Sequence, residues 1–362
     1  RGARRASRTV AGSRILTALK VYTIHDALTM PLVSILMPVY NAAATLPAAL
    51  RSVSVQTLRE WELIAVNDGS TDESLEILDR AAQKDRRIRV LSGAHVGHVE
   101  SLRSATALSS SPLLARMDAD DLMHPRRLLL QVTRLDSPPH IDVLATRVRS
   151  IGHTGEGMRR YVDWQNGLIR HDELMSNLFV ESPIAHPSVL MRRDIFERAG
   201  GYHDPGWAED FDLWHRMRER GARFEKLPRA LLSWRDSERR LTRTHAMYSE
   251  KKFYEAKLHF FKRHPLCQSP VAIWGAGPTG RDWARDLLRA GLDVPHVIDI
   301  DPKKIGRTIA NGKVKVVSPE EALANRSGLI LGAVGSRGAR EIIRARLVQE
   351  RLSEGRDFLF VA

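Results

Sequence analysis

The chain has 362 residues, 43% of them hydrophobic and 27% charged, which is enough for two cored domains and ordinary for a globular protein. Its net charge of +13 comes from 56 basic and 43 acidic residues, yet no nucleic-acid-binding motif accompanies it, so no nucleic-acid partner is expected. The single Cys267 excludes an internal disulfide and fits a reducing compartment, and no apolar run is long enough to cross a membrane as a helix.

Residues 1–31 form a basic tail. Residues 1–30 hold six basic residues and one acid, Asp26, without apolar periodicity or a signal-peptide core. Met30-Pro31-Leu32 reads as the natural start of the fold, and the tail is expected to be dispensable. Residues 32–41 and 61–72 then follow as short apolar, β-branched runs that stop at turn residues, as buried parallel strands do. Between them residues 44–58 read as an amphipathic helix, with Leu46, Leu50, Val53 and Leu58 near one side. Residues 95–108 read as a helix after a turn at Gly97. Residues 113–121, Leu-Leu-Ala-Arg-Met-Asp-Ala-Asp-Asp, read as a strand that ends in an acidic turn.

This is a strand–helix alternation, an open α/β sheet. Its ligand site is expected beyond the carboxyl ends of the strands, where Tyr40, Asn41, Asp68 and Asp118 fall. Asp118 and Asp120, one residue apart, suit a hard divalent cation such as Mn²⁺ or Mg²⁺ that also holds a diphosphate. Asp121 reads equally as a cap for the turn before His124-Pro125. Alone, the acidic triplet is a weak signal.

Its setting makes it specific. "SILMPVYN", "VNDGSTD", "ARMDADD" and, at 207–214, "WAEDFDLW" stand in one order, and together they resemble family-2 glycosyltransferases of the GT-A fold. The resemblance runs from Leu32 to about His245. It implies that Asp120 ligates a metal with Asp118 nearby, that Asp68 reads a uracil ring, and that Pro38, Tyr40 and Asn41 help wall the base. It also implies that Asp210, rather than the adjacent Glu209, is the base, and that transfer from a UDP-sugar is a single inverting displacement. The family often ends the 95–108 helix in an Asn; Arg103 is the nearest residue here, which leaves the donor contact credited to that Asn without a carrier.

Other candidates keep two readings. His186 reads as a further metal ligand or as a structural histidine. Trp207, Trp234 and Arg235 read as acceptor-side residues or as packing. Arg239 and Arg243 read as diphosphate contacts or as solvated charges. The acceptor is expected to be a glycan or lipid-linked hydroxyl. The protein is expected in the cytoplasm, with peripheral association at the inner face of an anionic membrane.

After a helical linker over 246–269, residues 270–362 read as a smaller Rossmann-like domain. A strand runs into Gly275-x-Gly277-x-x-Gly280, and Asp299 stands where a ribose-binding acid is expected, so a nucleotide or NAD(P) site is a candidate. All the transfer residues precede the linker, so this domain is expected to be separable from transfer. Two other functions stay open: a dinucleotide-dependent oxidoreductase or epimerase that works through the C-terminal domain, and a non-catalytic nucleotide-sugar-binding protein.

Overall fold

A computed structural model describes residues 20–21, 30–238 and 240–362. The expected tail, and Arg239 with it, lie outside the described residues except for Lys20, Val21 and the start at Met30. The protein is α/β, with two sheets. The first contains β1 (Lys20–Val21), β2 (Val33–Val39), β3 (Trp61–Asp68), β4 (Ile88–Gly93), β5 (Leu113–Arg116), β6 (Leu122–Met123), β7 (Val143–Gly152), β8 (Leu190–Arg192) and β9 (Phe224–Asp236). Their order is β1-β4-β3-β2-β5-β8-β7-β9-β6.

Strands β4, β3, β2 and β5 are mutually parallel, so their carboxyl ends share one edge. Every residue of β2 and β3 is buried, because helices cover both faces. Alternate side chains of β2 enter opposite cores: Ile35 and Met37 pack with Leu46, Leu50 and Val53, while Leu36 packs with Ile64, Leu102 and Trp214. Each such aliphatic side chain contributes about 1.5–3 kcal/mol by leaving water. The expected helix over 44–58 is shorter, Leu46–Ser54, and Leu58 is buried beyond its end.

The acceptor half departs further from expectation. Strands β7 and β9 pair in parallel over ten residues of β7, with a register shift around Arg147. On its other side β9 pairs antiparallel with the short edge strand β6, Leu122 opposite Ser233. The helices Glu156–Gly167 and His171–Asn177 lie between β7 and β8. Neither the pairing of β7 with β9 nor these two helices was read from the sequence.

The second sheet contains β10 (Val271–Trp274), β11 (His296–Ile298), β12 (Thr308–Ile309), β13 (Val314–Val317), β14 (Leu329–Gly332) and β15 (Phe358–Phe360). Its order is β12-β13-β11-β10-β14-β15, parallel apart from the edge strand β12. The parallel strands thus run 3-2-1-4-5, the pattern of a doubly wound sheet. The helix Glu250–Phe261 leads to it.

The two sheets do not stand apart. Phe179 and Val180, from the first part of the chain, are buried among residues of the second sheet. The two parts are therefore joined by packing, and the expected separability concerns transfer alone. Apolar side chains at 179 and 180 need cover, and the second sheet supplies it together with His215 and Phe261, which pack on the Phe179 ring. Among the described residues, no helix is long and apolar enough to cross a membrane.

Candidate active site

The parallel edge of the first sheet opens into a cleft of about 920 Å³. Pro38, Tyr40, Asn41, Asp68, Asp118, Asp120, His186, Glu209, Asp210, Trp234, Arg235 and Arg243 all line it. Most of the residues singled out in the sequence are thus gathered in one place.

On the donor flank, Asn41 adopts φ 48°, and its Oδ1 accepts from Thr71 N at 2.8 Å. Asn41 therefore holds the 70–72 turn. Tyr40 stacks on His95, ring centroids 4.2 Å apart, and is half exposed. Asp68 is buried, and its oxygens are already engaged. Oδ1 accepts from Val96 N at 2.6 Å, Oδ2 from Gly97 N at 3.0 Å, and His95 Nδ1 lies 2.9 Å from Oδ2. Gly69 allows this docking, because a Cβ there would meet His95 N at 2.6 Å. Asp68 thus fastens the 95–97 loop, where the resemblance implies contact with a uracil ring. Arg103 points away from a donor role: its Nε donates to Tyr202 O at 2.9 Å, and it pairs with Glu100.

The acidic floor is built where β5 ends. Asp118, Asp120 and Asp121 offer carboxylate oxygens all within 4.8 Å of one another. Burial alone would raise Asp118, but the Arg116 guanidinium 2.6 Å away, together with His98 and His186, offsets this and holds it low. Asp120 is pushed up to about 6 by burial and by the charge of Asp118. Asp121 rises well above the carboxylate range from burial and from both neighbours. Its Oδ1 accepts from Arg235 N at 2.7 Å, while its buried Oδ2 has no hydrogen-bond partner. Three mutually repelling carboxylates with an orphaned buried oxygen fit a hard divalent cation.

Arg235 belongs to this floor rather than to the acceptor side: its Nε donates to Asp120 O at 2.8 Å. The pairing of β9 with β6 forces that position. Arg243 pairs with Asp236 at 2.9 Å, so its charge is partly neutralised. Trp234 lines the cleft, with Arg240 over its ring at 4.3 Å. Trp207 does not line it: Nε1 donates to Asp212 Oδ1 at 3.2 Å, and the ring packs on His259.

Helix Glu209–Glu219 begins at the opposite wall. Glu209 is buried, and three groups converge on its carboxylate: His98 Nε2 at 3.5 Å, His186 Nδ1 at 3.4 Å and the Tyr248 hydroxyl at 2.7 Å. Against the pull of burial, the two histidines hold it well below the usual range. His186 Nε2 also meets the Tyr202 hydroxyl at 2.9 Å, and burial takes His186 down to about 4. The structure thus groups His186 with Glu209 and His98 instead of with the aspartates. Asp210, one residue on, is pushed up to about 8 by burial and by the Glu209 charge. His98, Arg116, Tyr161, Tyr202 and Tyr248 were not read from the sequence. Arg116 alone left a signal, a charge ending an apolar strand two residues before Asp118.

In the second sheet, a Cβ on Gly280 would meet Gly275 O at 1.7 Å, and one on Gly275 would meet Val334 at 2.6 Å. Gly277 has open space around it. Asp299 accepts from Ala276 N at 2.8 Å, Lys304 Nζ at 3.0 Å and Asp301 N at 2.9 Å. Its carboxylate is spent on closing the loop instead of standing free for a ribose.

A family model, glycosyl transferase family 2, matches residues 34–200. The putative glycosyltransferase EpsE of Bacillus subtilis is 30% identical over 224 residues, which is 60% of this chain and 78% of EpsE. This chain belongs to glycosyltransferase family 2. An uncharacterized glycosyltransferase of Haemophilus influenzae is 30% identical over 213 residues, 57% of this chain and 65% of that protein. The chain thus spans slightly under two thirds of that relative's length. Among solved structures, S. aureus TarS 1–349 in complex with UDP-GlcNAc shares the fold, with a TM-score of 0.54 at 18% identity over 64% of this chain and 67% of that one. The GT-A expectation for the first sheet is met.

Proposed function

We propose that this glycosyltransferase moves a sugar from a nucleotide donor, with UDP-sugars the class to test first, onto a hydroxyl of a glycan or lipid-linked acceptor, inverting the anomeric centre. The observation that carries the reading is the pairing of the Asp118–Asp120–Asp121 floor with Asp210 across one cleft. Asp120 and Asp118, with the orphaned oxygen of Asp121 behind them, would hold a Mn²⁺ or Mg²⁺ ion. Such an ion supplies neutralising charge to the departing diphosphate. Pro38, Tyr40 and Asn41 wall the base, and Asp68 acts there by holding the 95–97 loop.

Asp210 is the better base of the two neighbouring carboxylates. A base must bind the hydroxyl proton more readily than solvent does near working pH, and a value of about 8 suits that. Glu209 is ionised, but its oxygens are committed to His98, His186 and Tyr248. Tyr161, Trp234 and Glu181 form the acceptor flank, where aromatic faces suit sugar rings. The single base and the absence of a nucleophile role for any neighbour favour one displacement step.

UDP release from a panel of UDP-sugars with Mn²⁺, measured for the full chain and for Asp120→Ala, tests the reading. Release that depends on the metal and is lost in the variant is expected. Equal release by both defeats it. Bound NAD(P) in the purified protein would instead favour a role for the second sheet; the spent carboxylate of Asp299 argues against one.

A further inference from the structure

Residues 179–186 leave the helix His171–Asn177 and border the cleft until the short turn His186–Ser188. Glu181, Ser182, Ile184 and His186 line the cleft from this run. The run forms no strand or α-helix, so no ladder of its own orders it. Fixing an irregular backbone costs about 1–2 kcal/mol per residue, which outside contacts must offset.

Those contacts come from two sides. From the first part of the chain, Ser182 O accepts from the cleft-lining Tyr161 hydroxyl at 2.9 Å, and Pro183 O accepts from buried Lys226 Nζ at 2.9 Å. The other holders belong to the second sheet and its leading helix, whose Lys257 also lines the cleft. Phe179 shares a core with Phe261, Val271 and Leu359, and its ring meets Phe261 edge-on at 5.9 Å. Val180 shares a core with Ala272, Phe358 and Phe360. Lys257 Nζ donates to Val180 O at 2.6 Å and to Val361 O at 3.2 Å, so one ammonium fastens the run to the strand end after β15.

We propose that the second sheet braces the acceptor side of the cleft, with Lys257 as the positioning residue that ties the 179–186 run to it. The brace itself rests on packing alone. Its consequence for acceptor binding rests on the glycosyl-transfer reading. A buried ammonium is costly without partners, and two carbonyls from different parts of the chain satisfy it here. The arrangement gives the C-terminal part a role in transfer without any ligand of its own.

Amide hydrogen exchange on the full chain tests this. Lys257→Met should speed exchange over residues 179–186 about tenfold, the scale of one lost charge-assisted hydrogen bond, with β2 and β3 unchanged. Lys257→Arg should restore slow exchange. UDP affinity in Mn²⁺, by calorimetry, should stay within about twofold of the unaltered chain, because the donor flank is held independently. If Lys257→Met does not fold, Val180→Ala removes packing from the same seam and should give the same localised increase. Unchanged exchange at 179–186, or an equal increase throughout the chain, overturns the brace. A full chain that releases no UDP from any UDP-sugar would defeat the transfer reading, and the exchange comparison would still decide the brace.

Discussion

Arg116 Nη2 lies 2.6 Å from Asp118 Oδ1 at the floor of the cleft, and Arg116 is 1% exposed. The pair fixes one carboxylate of the acidic floor before any ligand arrives. Arg116→Met would leave Asp118 without its partner beside two other carboxylates. The expected outcome is a loss of about 3 kcal/mol of stability, the scale for breaking a buried pair, read as a lower urea midpoint at unchanged m. A midpoint within experimental scatter of the unaltered chain would show that Asp118 does not need the arginine.

The proposed base Asp210, pushed up to about 8 by burial and the Glu209 charge, should set the pH dependence. A general base works only when ionised, so kcat/KM should rise with pH through about 8 and level off above it. Asp210→Asn should lower turnover by roughly 10²–10⁴-fold while keeping UDP affinity. Glu209→Gln should act differently, weakening the contacts from His98, His186 and Tyr248 and lowering stability. A profile that is flat from 6 to 9 in the unaltered enzyme would remove Asp210 from the base role.

Asp120→Ala should abolish Mn²⁺-dependent UDP binding measured by calorimetry, since the floor loses one of three clustered carboxylates. Relief of repulsion should at the same time raise stability without metal, because Asp118 and Asp120 each press on Asp121. A variant that binds UDP as tightly with Mn²⁺ as the unaltered chain would displace the metal from this site.

Asp68→Ala should act through the loop it holds. Val96 N and Gly97 N would lose their acceptor, a cost of about 1 kcal/mol for part-buried donors that water can reach. UDP affinity should fall and amide exchange at 95–97 should rise together. A fall in affinity with the loop unchanged would return Asp68 to direct contact with the base.

The glycine fingerprint separates packing from ligand binding. Gly280→Ala should destabilise the second sheet strongly, because its Cβ would meet a backbone oxygen at 1.7 Å. Gly277→Ala should leave stability within about 0.5–1 kcal/mol, as open space surrounds it. Equal tolerance at both positions, measured by thermal unfolding, would contradict the close approach of helix and strand.

Much of the donor half was legible in the sequence. The runs at β2, β3 and β5 are mostly apolar and buried throughout because both sheet faces are covered, and that pattern survives in one dimension. The acidic triplet and the Glu209-Asp210 helix start were equally plain, since strand ends and helix starts leave local marks. The strand pairing of the acceptor half was not legible. Strands β7 and β9 carry exposed and charged positions along with buried ones, and their pairing spans about eighty residues of chain.

What the sequence determined by itself was the set of chemistries: strand ends carrying aspartates, a doubly wound second sheet, and a family assignment that rests on four ordered motifs. Tertiary structure alone decided which groups meet. It placed Arg235 under Asp120, turned Trp207 away from the cleft, spent Asp68 and Asp299 on their own loops, and set Lys257 between Val180 and Val361. The reason is physical: local spacing fixes where a side chain points along its own element. The partner that satisfies it is chosen by burial, which depends on how distant elements close over one another.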